Sequence, residues 1–218
     1  AICDRLLAQN HNQDLSEDLS YLRKESAELH RYIQSILHMT RVESKDFRIN
    51  KEAADINEII EHVIEQLSPL ALSKKIKLSK NLEPMFLVEF DSVLIHEVVL
   101  NLIENAIKYT PEKGEINVYS KEVDEKVIIE IEDNGQGIPE KDQAQIFEKF
   151  YRSEENPANT KGSGLGLYLV KYFIELHGGK VFLSSHAGKG TKAGFSLPVM
   201  AELGTESVNQ EVGLGGHA

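Results

Sequence analysis

The stretch from Asn101 to Gly166 constrains this chain more than any other, because four short motifs follow one another within it. The first is Asn101-Leu-Ile-Glu-Asn105-Ala-Ile-Lys108-Tyr109, and the second is Asp133-Asn-Gly135-Gln-Gly137-Ile138-Pro139. The third is Phe147-Glu-Lys149-Phe150-Tyr151-Arg152, and the fourth is Gly162-Ser163-Gly164-Leu165-Gly166. Two Asn residues four apart, or a few clustered glycines, recur in many chains that bind nothing, so each piece alone says little. Their order and spacing carry the signal.

Residues three and four apart are neighbours on a helix, so Asn101, Asn105 and Lys108 share a face. An amide oxygen suits Mg2+, a hard cation that prefers oxygen ligands and keeps waters and substrate phosphates around it. Asp133 ends the apolar run Val127 to Ile131, where a buried carboxylate can accept a hydrogen bond from an exocyclic amine such as that of adenine. Gly135 and Gly137 let the backbone turn and let a flat ring approach closely. The run from Gly162 to Gly166 precedes an apolar-periodic helix, whose free N–H groups and dipole attract anions. Adenine, Mg2+ and phosphates each have a candidate partner.

In this order the motifs resemble the N, G1, F and G2 boxes of the ATP-binding domain of two-component sensor histidine kinases. That domain belongs to the GHKL superfamily, with gyrase, heat-shock chaperone and mismatch-repair ATPases. With its flanking elements the resemblance runs from about Asp14 to Pro198. It implies an α/β (α+β) fold of the Bergerat type: a two-layer sandwich with a mixed sheet on one side, helices on the other, and ATP between helices and lid. It further implies that Asn105 holds Mg2+, that Asn101 supports the phosphates, and that Lys108 and Tyr109 contact the nucleotide. Asp133 would read adenine beside Gly135, Gly137 and Ile138, with Thr191 contributed by the family's last glycine box. Lys149, Tyr151 and Arg152 would approach from the F box, Arg152 steadying the γ-phosphate as arginines do in other phosphoryl transfers. Gly162, Ser163, Gly164, Leu165, Gly166 and Leu167 would cradle the phosphates. Asn101, Asn105, Lys108 and Arg152 form the expected catalytic set. For Phe147 and Phe150, plain core packing is the expectation.

Asn101 also separates branches of the superfamily. The corresponding position in the gyrase and chaperone ATPases resembles a Glu that activates water, and an amide cannot take that proton. Transfer to a protein histidine is therefore favoured over hydrolysis. The competing readings are a GHKL-type ATPase and a non-catalytic dimerising scaffold that binds a regulator.

A formal net charge of −11 argues against nucleic acid as the main partner, since neutralising phosphates takes clustered Lys and Arg. One cysteine, Cys3, leaves no internal disulfide and fits a reducing, cytoplasmic setting. No apolar run is long enough to span a bilayer, so a membrane anchor is expected only in segments outside this chain.

Leu15, Leu19, Leu22, Ser26, Leu29, Ile33, Ile36 and Thr40 alternate in steps of four and three, the seam of a coiled coil or bundle. With the short apolar segment Ile2 to Leu7, this resembles part of the dimerisation hairpin through which histidine kinases form homodimers. The family's phospho-accepting histidine, followed by an acid and then a proline, is not found. Only His96 among eight histidines precedes an acid, and it lies in the nucleotide helix. The expectation is a fragment starting just after its own phosphorylation site, and a response-regulator receiver domain as downstream partner. The expected divisions are a partial hairpin over 1–46, the ATP-binding domain over 47–199 and a flexible tail over 200–218.

Within the domain, Ser44 to Ala54 reads as a linker becoming an edge strand. Asp55 and Asp91 read as N-caps of two helices. Strands are expected at Ile76 to Leu82, Met85 to Phe90, Glu115 to Glu122, Lys126 to Glu132, Lys180 to Ser185 and Thr191 to Leu197. Leu165 to His177 reads as a helix ended by Gly178-Gly179, and Gly188-Lys-Gly190 as a structural turn near the site. The polar segment Ser153 to Gly162 reads as a lid.

Overall fold

The structure is a computed structural model that describes residues 18, 19, 21–23, 26, 33, 48–153 and 163–199. The chain runs β1 (Glu52–Ala54), α1 (Ile56–Ser73), β2 (Lys77–Leu82), β3 (Val88–Phe90), α2 (Ser92–Tyr109), β4 (Glu115–Val123) and β5 (Lys126–Asp133). It continues through α3 (Glu140–Gln143), α4 (Gly166–Leu176), β6 (Lys180–His186) and β7 (Gly190–Pro198). Five strands form one sheet in the order β2-β4-β5-β7-β6. The β2–β4 pair is parallel and the rest antiparallel, so the sheet is mixed as expected. The strands β1 and β3 do not join it but pair antiparallel with each other, Glu52 opposite Phe90.

Alternation along the strands decides which face is buried. Val127, Ile129 and Ile131 of β5, Ile116 and Val118 of β4, and Phe195 and Leu197 of β7 all turn inward. The opposite face is polar: Lys192 on β7 pairs with Glu130 on β5 at 2.8 Å. The helices cover the apolar face. From α1 come Ile56, Ile60, Val63, Leu67 and Ala71 at helical spacing, a single stripe. From α2 come eight buried residues, two in each turn, among them Val98, Val99, Leu102 and Ile103. That wider stripe follows from its position, since α2 packs against α1 on one side and α4 on the other. Each fully buried aliphatic side chain contributes about 1.5–3 kcal/mol, which makes α2 the best-anchored helix of the domain.

Both ends of α2 are fixed by polar contacts as well. Asp91 caps its start, accepting from Val93 N at 3.1 Å and Leu94 N at 3.2 Å. At its other end, Lys74 Nζ donates to the carbonyls of Ile107, Lys108 and Thr110 at 2.7, 3.1 and 2.8 Å. A cation there satisfies carbonyls left over by the helix and complements its negative end. Asp55 caps α1 in the expected way, accepting from Asn57 N at 2.8 Å.

The expected hairpin and tail fall almost wholly outside the described residues. Of the seam positions that are described, Leu19 is buried, whereas Leu22 and Ile33 are exposed.

Candidate functional site

The last turns of α2 carry Asn101, Asn105, Lys108 and Tyr109, and the order of elements brings the other motifs around them. Asn101 Nδ2 turns back onto Glu97 O at 2.8 Å. Its oxygen faces the start of α4, where a Cβ on Gly166 would lie 2.6 Å from Asn101 Oδ1. Gly166 is thus the residue that lets α4 begin against this side chain. One turn further, the half-buried Asn105 amide makes no hydrogen bond among the described residues. Lys108 Nζ lies over the Tyr109 ring, 5.1 Å from its centroid.

Asp133 ends β5, half-buried, and its Oδ1 accepts from Gly135 N at 2.8 Å. Burial pushes its carboxyl above the usual carboxylate range, opposed by backbone hydrogen bonds from Gly135 and Thr191. The loop after it is held on three sides. Gln136 N donates to Tyr109 O, Gly188 N donates to Gln136 O at 2.6 Å, and Ile138 N donates to Ser185 Oγ at 2.8 Å. Gly137 takes φ +69°, and a Cβ there would lie 2.0 Å from His186 O, so only glycine fits. The turn Gly188-Lys-Gly190 is structural, as expected: a Cβ on Gly190 would lie 1.9 Å from Asp133 O.

The F and G2 motifs meet each other backbone to backbone. Phe150 N donates to Gly164 O at 3.0 Å, and a Cβ on Gly164 would lie 2.7 Å from the Phe150 carbonyl carbon. Gly164 takes φ +72°, and Phe150 itself takes φ +61°, a strained value for an aromatic residue. Core packing does not hold for Phe150, which is 59% exposed. Its backbone meets that of Gly164 while its ring stays outside the interior. Ser163 Oγ accepts from Leu165 N at 3.2 Å, Leu165 is buried, and Leu167 packs at the edge of the core. Gly162 lies outside the described residues. Lys149 Nζ sits over the Tyr168 ring of α4 at 4.9 Å, a second tie between these motifs.

Arg152 is exposed and lies close enough to Tyr109 to act on it: burial pushes the Tyr109 phenol up, and the Arg152 charge opposes that shift. Tyr151, expected at the nucleotide, directs its hydroxyl to Asp142 Oδ1 at 2.8 Å, and Ser153 Oγ also donates to Asp142. Those two hydrogen bonds, Ser153 first, hold the Asp142 carboxyl below its usual range. Asp142 therefore grips both neighbours of Arg152, a role its sequence surroundings did not reveal. Ser185 was missed too. It is buried between the G1 loop and β7, donating to Gly190 O at 2.9 Å and meeting Thr191 Oγ1 at 2.9 Å. No hydropathy or motif signal marks such a residue, because its partners come from three separate elements.

The assembled motifs lie between α2, the G1 loop and the start of α4. A carboxylate stands at one end, an uncommitted amide in the middle and a helix N-terminus at the other. His96 is not part of it, lying beside His62 of α1 with ring centroids 5.8 Å apart. Among the described residues, no helix is long and apolar enough to cross a membrane.

Over 198 residues the chain is 32% identical to the sensor histidine kinase WalK of Bacillus subtilis, covering 88% of this chain and 32% of WalK. It is 33% identical to the sensor histidine kinase YclK of the same organism over 185 residues, 84% of this chain and 39% of YclK. The chain thus spans between about a third and two fifths of the length of these relatives. Among solved structures, full-length ShkA in complex with AMPPNP superposes with a TM-score of 0.74 at 26% identity, covering 89% of this chain and 41% of that one. Residues 90–201 match the family of histidine kinase-, DNA gyrase B- and HSP90-like ATPases, and the chain belongs to that family as a histidine kinase catalytic ATP-binding domain.

Proposed function

We propose that this chain transfers the γ-phosphate of Mg-ATP to a histidine on an accepting helix, for relay to an aspartate of a response-regulator receiver domain. The observation that carries the reading is the contact between Asn101 and Gly166, which sets an amide, not a carboxylate, where the phosphates would meet the start of α4. Water attacking phosphorus there would have no base to take its proton, whereas a neutral imidazole attacks through a lone pair and needs none. In the transfer, an imidazole nitrogen bonds to the γ-phosphorus and the bond from phosphorus to the β–γ bridging oxygen breaks. ADP leaves with that electron pair, and the ring loses its other N–H proton to solvent.

The chain's own residues supply position and charge, which is most of what phosphoryl transfer asks of a protein. Asp133 would accept from the adenine amine, Arg152 would steady the γ-phosphate, and Lys108 and Tyr109 would flank the nucleotide. Among the described residues, no group of three or more His, Cys, Asp or Glu side chains could hold a metal. A Mg2+ ion suits the alternative of one amide oxygen, from Asn105, completed by waters and phosphates. When bound, it draws off charge that develops on the phosphates. On the same reading the kinase works in the cytoplasm and dimerises through the segment before residue 47.

Incubation with γ-labelled ATP and a separately supplied accepting helix tests this. Acid-labile label on the helix, and none on the chain itself, is the expected result. Release of free phosphate without labelling would favour an ATPase, and failure to bind Mg-AMPPNP by calorimetry would leave the scaffold.

A further inference from the structure

His177 ends α4 and is 2% exposed, yet nothing in the nucleotide chemistry uses it. Its Nε2 accepts the backbone N–H of Asp91 at 3.0 Å, so Nδ1 carries the ring proton and donates to Phe173 O at 2.6 Å. Asp91 is itself a junction. Its Oδ1 caps the first turn of α2, and its Oδ2 accepts Asn50 N at 2.9 Å from the linker that enters the domain. Beside it, β1 of that linker pairs with β3, and Ser92 Oγ donates to Glu52 Oε1 at 3.3 Å.

The two ends of the α2–α4 pair are therefore both bolted. His177 meets Asp91 at one end, and Gly166 meets Asn101 at the other. Asp91 to Asn101 and Gly166 to His177 each span about 15 Å at the helical rise. The contacts match in length only if the helices run antiparallel as one rigid block.

We propose that His177 is a positioning residue that ties the end of α4 to Asp91, the cap that also holds the linker at Asn50, and through the bolted helices fixes the spacing of Asn101 and Gly166. The linker's placement is thereby felt at the phosphate end of the site. The effect on nucleotide rests on the function proposed above, whereas the mechanical coupling does not.

The charged groups acting on the ring are Lys51 of the linker and Asp91 of the cap; burial, the larger influence, holds the imidazole below its ordinary range. Protonation would set an N–H against the Asp91 N–H and open the junction. A neutral variant keeps the shape and removes the acceptor.

The experiment uses the full chain as wild type, His177→Phe and His177→Gln, with amide hydrogen exchange and Mg-AMPPNP calorimetry. In His177→Phe, exchange should rise about tenfold in two places, residues 50–54 and 169–172, the first hydrogen-bonded amides of α4, while the amides of β4 and β5 keep their protection. Affinity for Mg-AMPPNP should fall about three- to tenfold, and His177→Gln, whose amide oxygen can accept from Asp91, should recover most of both. Uniform acceleration over the whole sheet would overturn the proposal, as would loosening confined to 50–54. If His177→Phe does not fold, wild type carries the test: protection at 50–54 and 169–172 should fall together as the His177 ring titrates below pH 6.5, and independent behaviour of the two segments would sink the idea. If wild type binds no Mg-AMPPNP, the proposed function fails while the exchange pattern still decides the coupling.

Discussion

The two halves of the site use the same backbone device and differ in what surrounds it. In the G1 half, Gly137 at φ +69° is backed against His186 O, inside a loop held by Tyr109, Ser185 and Gly188. In the F–G2 half, Gly164 at φ +72° is backed against Phe150, in a clasp closed by the Phe150 N to Gly164 O hydrogen bond. The first glycine is woven into the sheet and α2, whereas the second joins two loop ends whose side chains Lys149, Phe150 and Arg152 are exposed. Regions with few buried contacts open at low cost and regions tied to the core do not. The difference suits a nucleotide site, in which one wall fixes the base and the other must admit and release the phosphates.

Substituting alanine at the two glycines breaks the comparison most sharply. Both replacements force a Cβ into a positive φ and into backbone atoms, so the local strain is similar. Gly137→Ala should lower global stability by about 3 kcal/mol or more, since the loop cannot move without disturbing β5, β6 and α2. Gly164→Ala should cost less than about 1 kcal/mol globally, because the clasp can release its strain by opening. Urea unfolding checks both, and equal losses would show that the halves are equally anchored.

Next in size is Asn105→Ala, which removes an amide on the G1 side without touching any hydrogen bond among the described residues. Alanine favours the helix, so Tm should hold or rise slightly. Affinity for ATP should fall about tenfold or more with Mg2+ present and little with the metal chelated. Calorimetry with and without metal gives the answer, and a loss independent of Mg2+ would remove Asn105 from the metal.

How much of this was legible beforehand follows the same division. The frame was readable because its signals are local: the stripe of α1, the capping Asp55 and Asp91, and the alternation of β4 and β5 each lie within about twenty residues. Pairing was less so. That β1 and β3 form a separate ribbon, and that β2 lies parallel to β4, depends on closures that no periodicity encodes. Ser185 and His177 escaped notice because key partners are distant in sequence, Ile138 lying 47 residues from Ser185 and Asp91 86 residues from His177, whereas Asp142 meets Tyr151 and Ser153 only 9 and 11 residues on but across an irregular stretch with no periodicity to read. Phe150 misled because an aromatic in a motif reads as core, while its backbone strain and exposure appear only once Gly164 is beside it.

A smaller effect compares the two carboxylates. Asp142 in the clasp is held low by the Ser153 and Tyr151 hydroxyls, so its grip is complete above the ordinary carboxylate pKa of 3.8 and is lost as pH falls through the lowered value. Asp142→Asn should reproduce that loss at neutral pH, weakening the hold on Arg152. The expected readout is a few-fold rise in KM for ATP with only a small fall in Tm. A fall in Tm comparable to that of Gly137→Ala would place Asp142 in the frame instead.

Asp133 has the opposite sign and the smallest expected effect on stability. Its folded pKa lies above 3.8, chiefly through burial, so the unfolded chain ionises first as pH rises. Stability therefore declines as pH climbs from 3.8 through the folded value, and the nucleotide-free domain carries that cost at neutral pH. Asp133→Asn keeps an oxygen to accept from Gly135 and Thr191 but removes the charge. Its Tm should rise by about a degree or two, the gain being limited by the solvent that still reaches this half-buried group. Binding should move the other way: ATP should weaken while inorganic triphosphate is unaffected, because the altered contact is to adenine and not to phosphate. A gain in Tm with equal losses for both ligands would keep the burial argument and move Asp133 out of the base pocket. A fall in Tm would mean that the carboxylate's backbone hydrogen bonds outweigh its desolvation, and that the G1 wall is held together by the charge it shields.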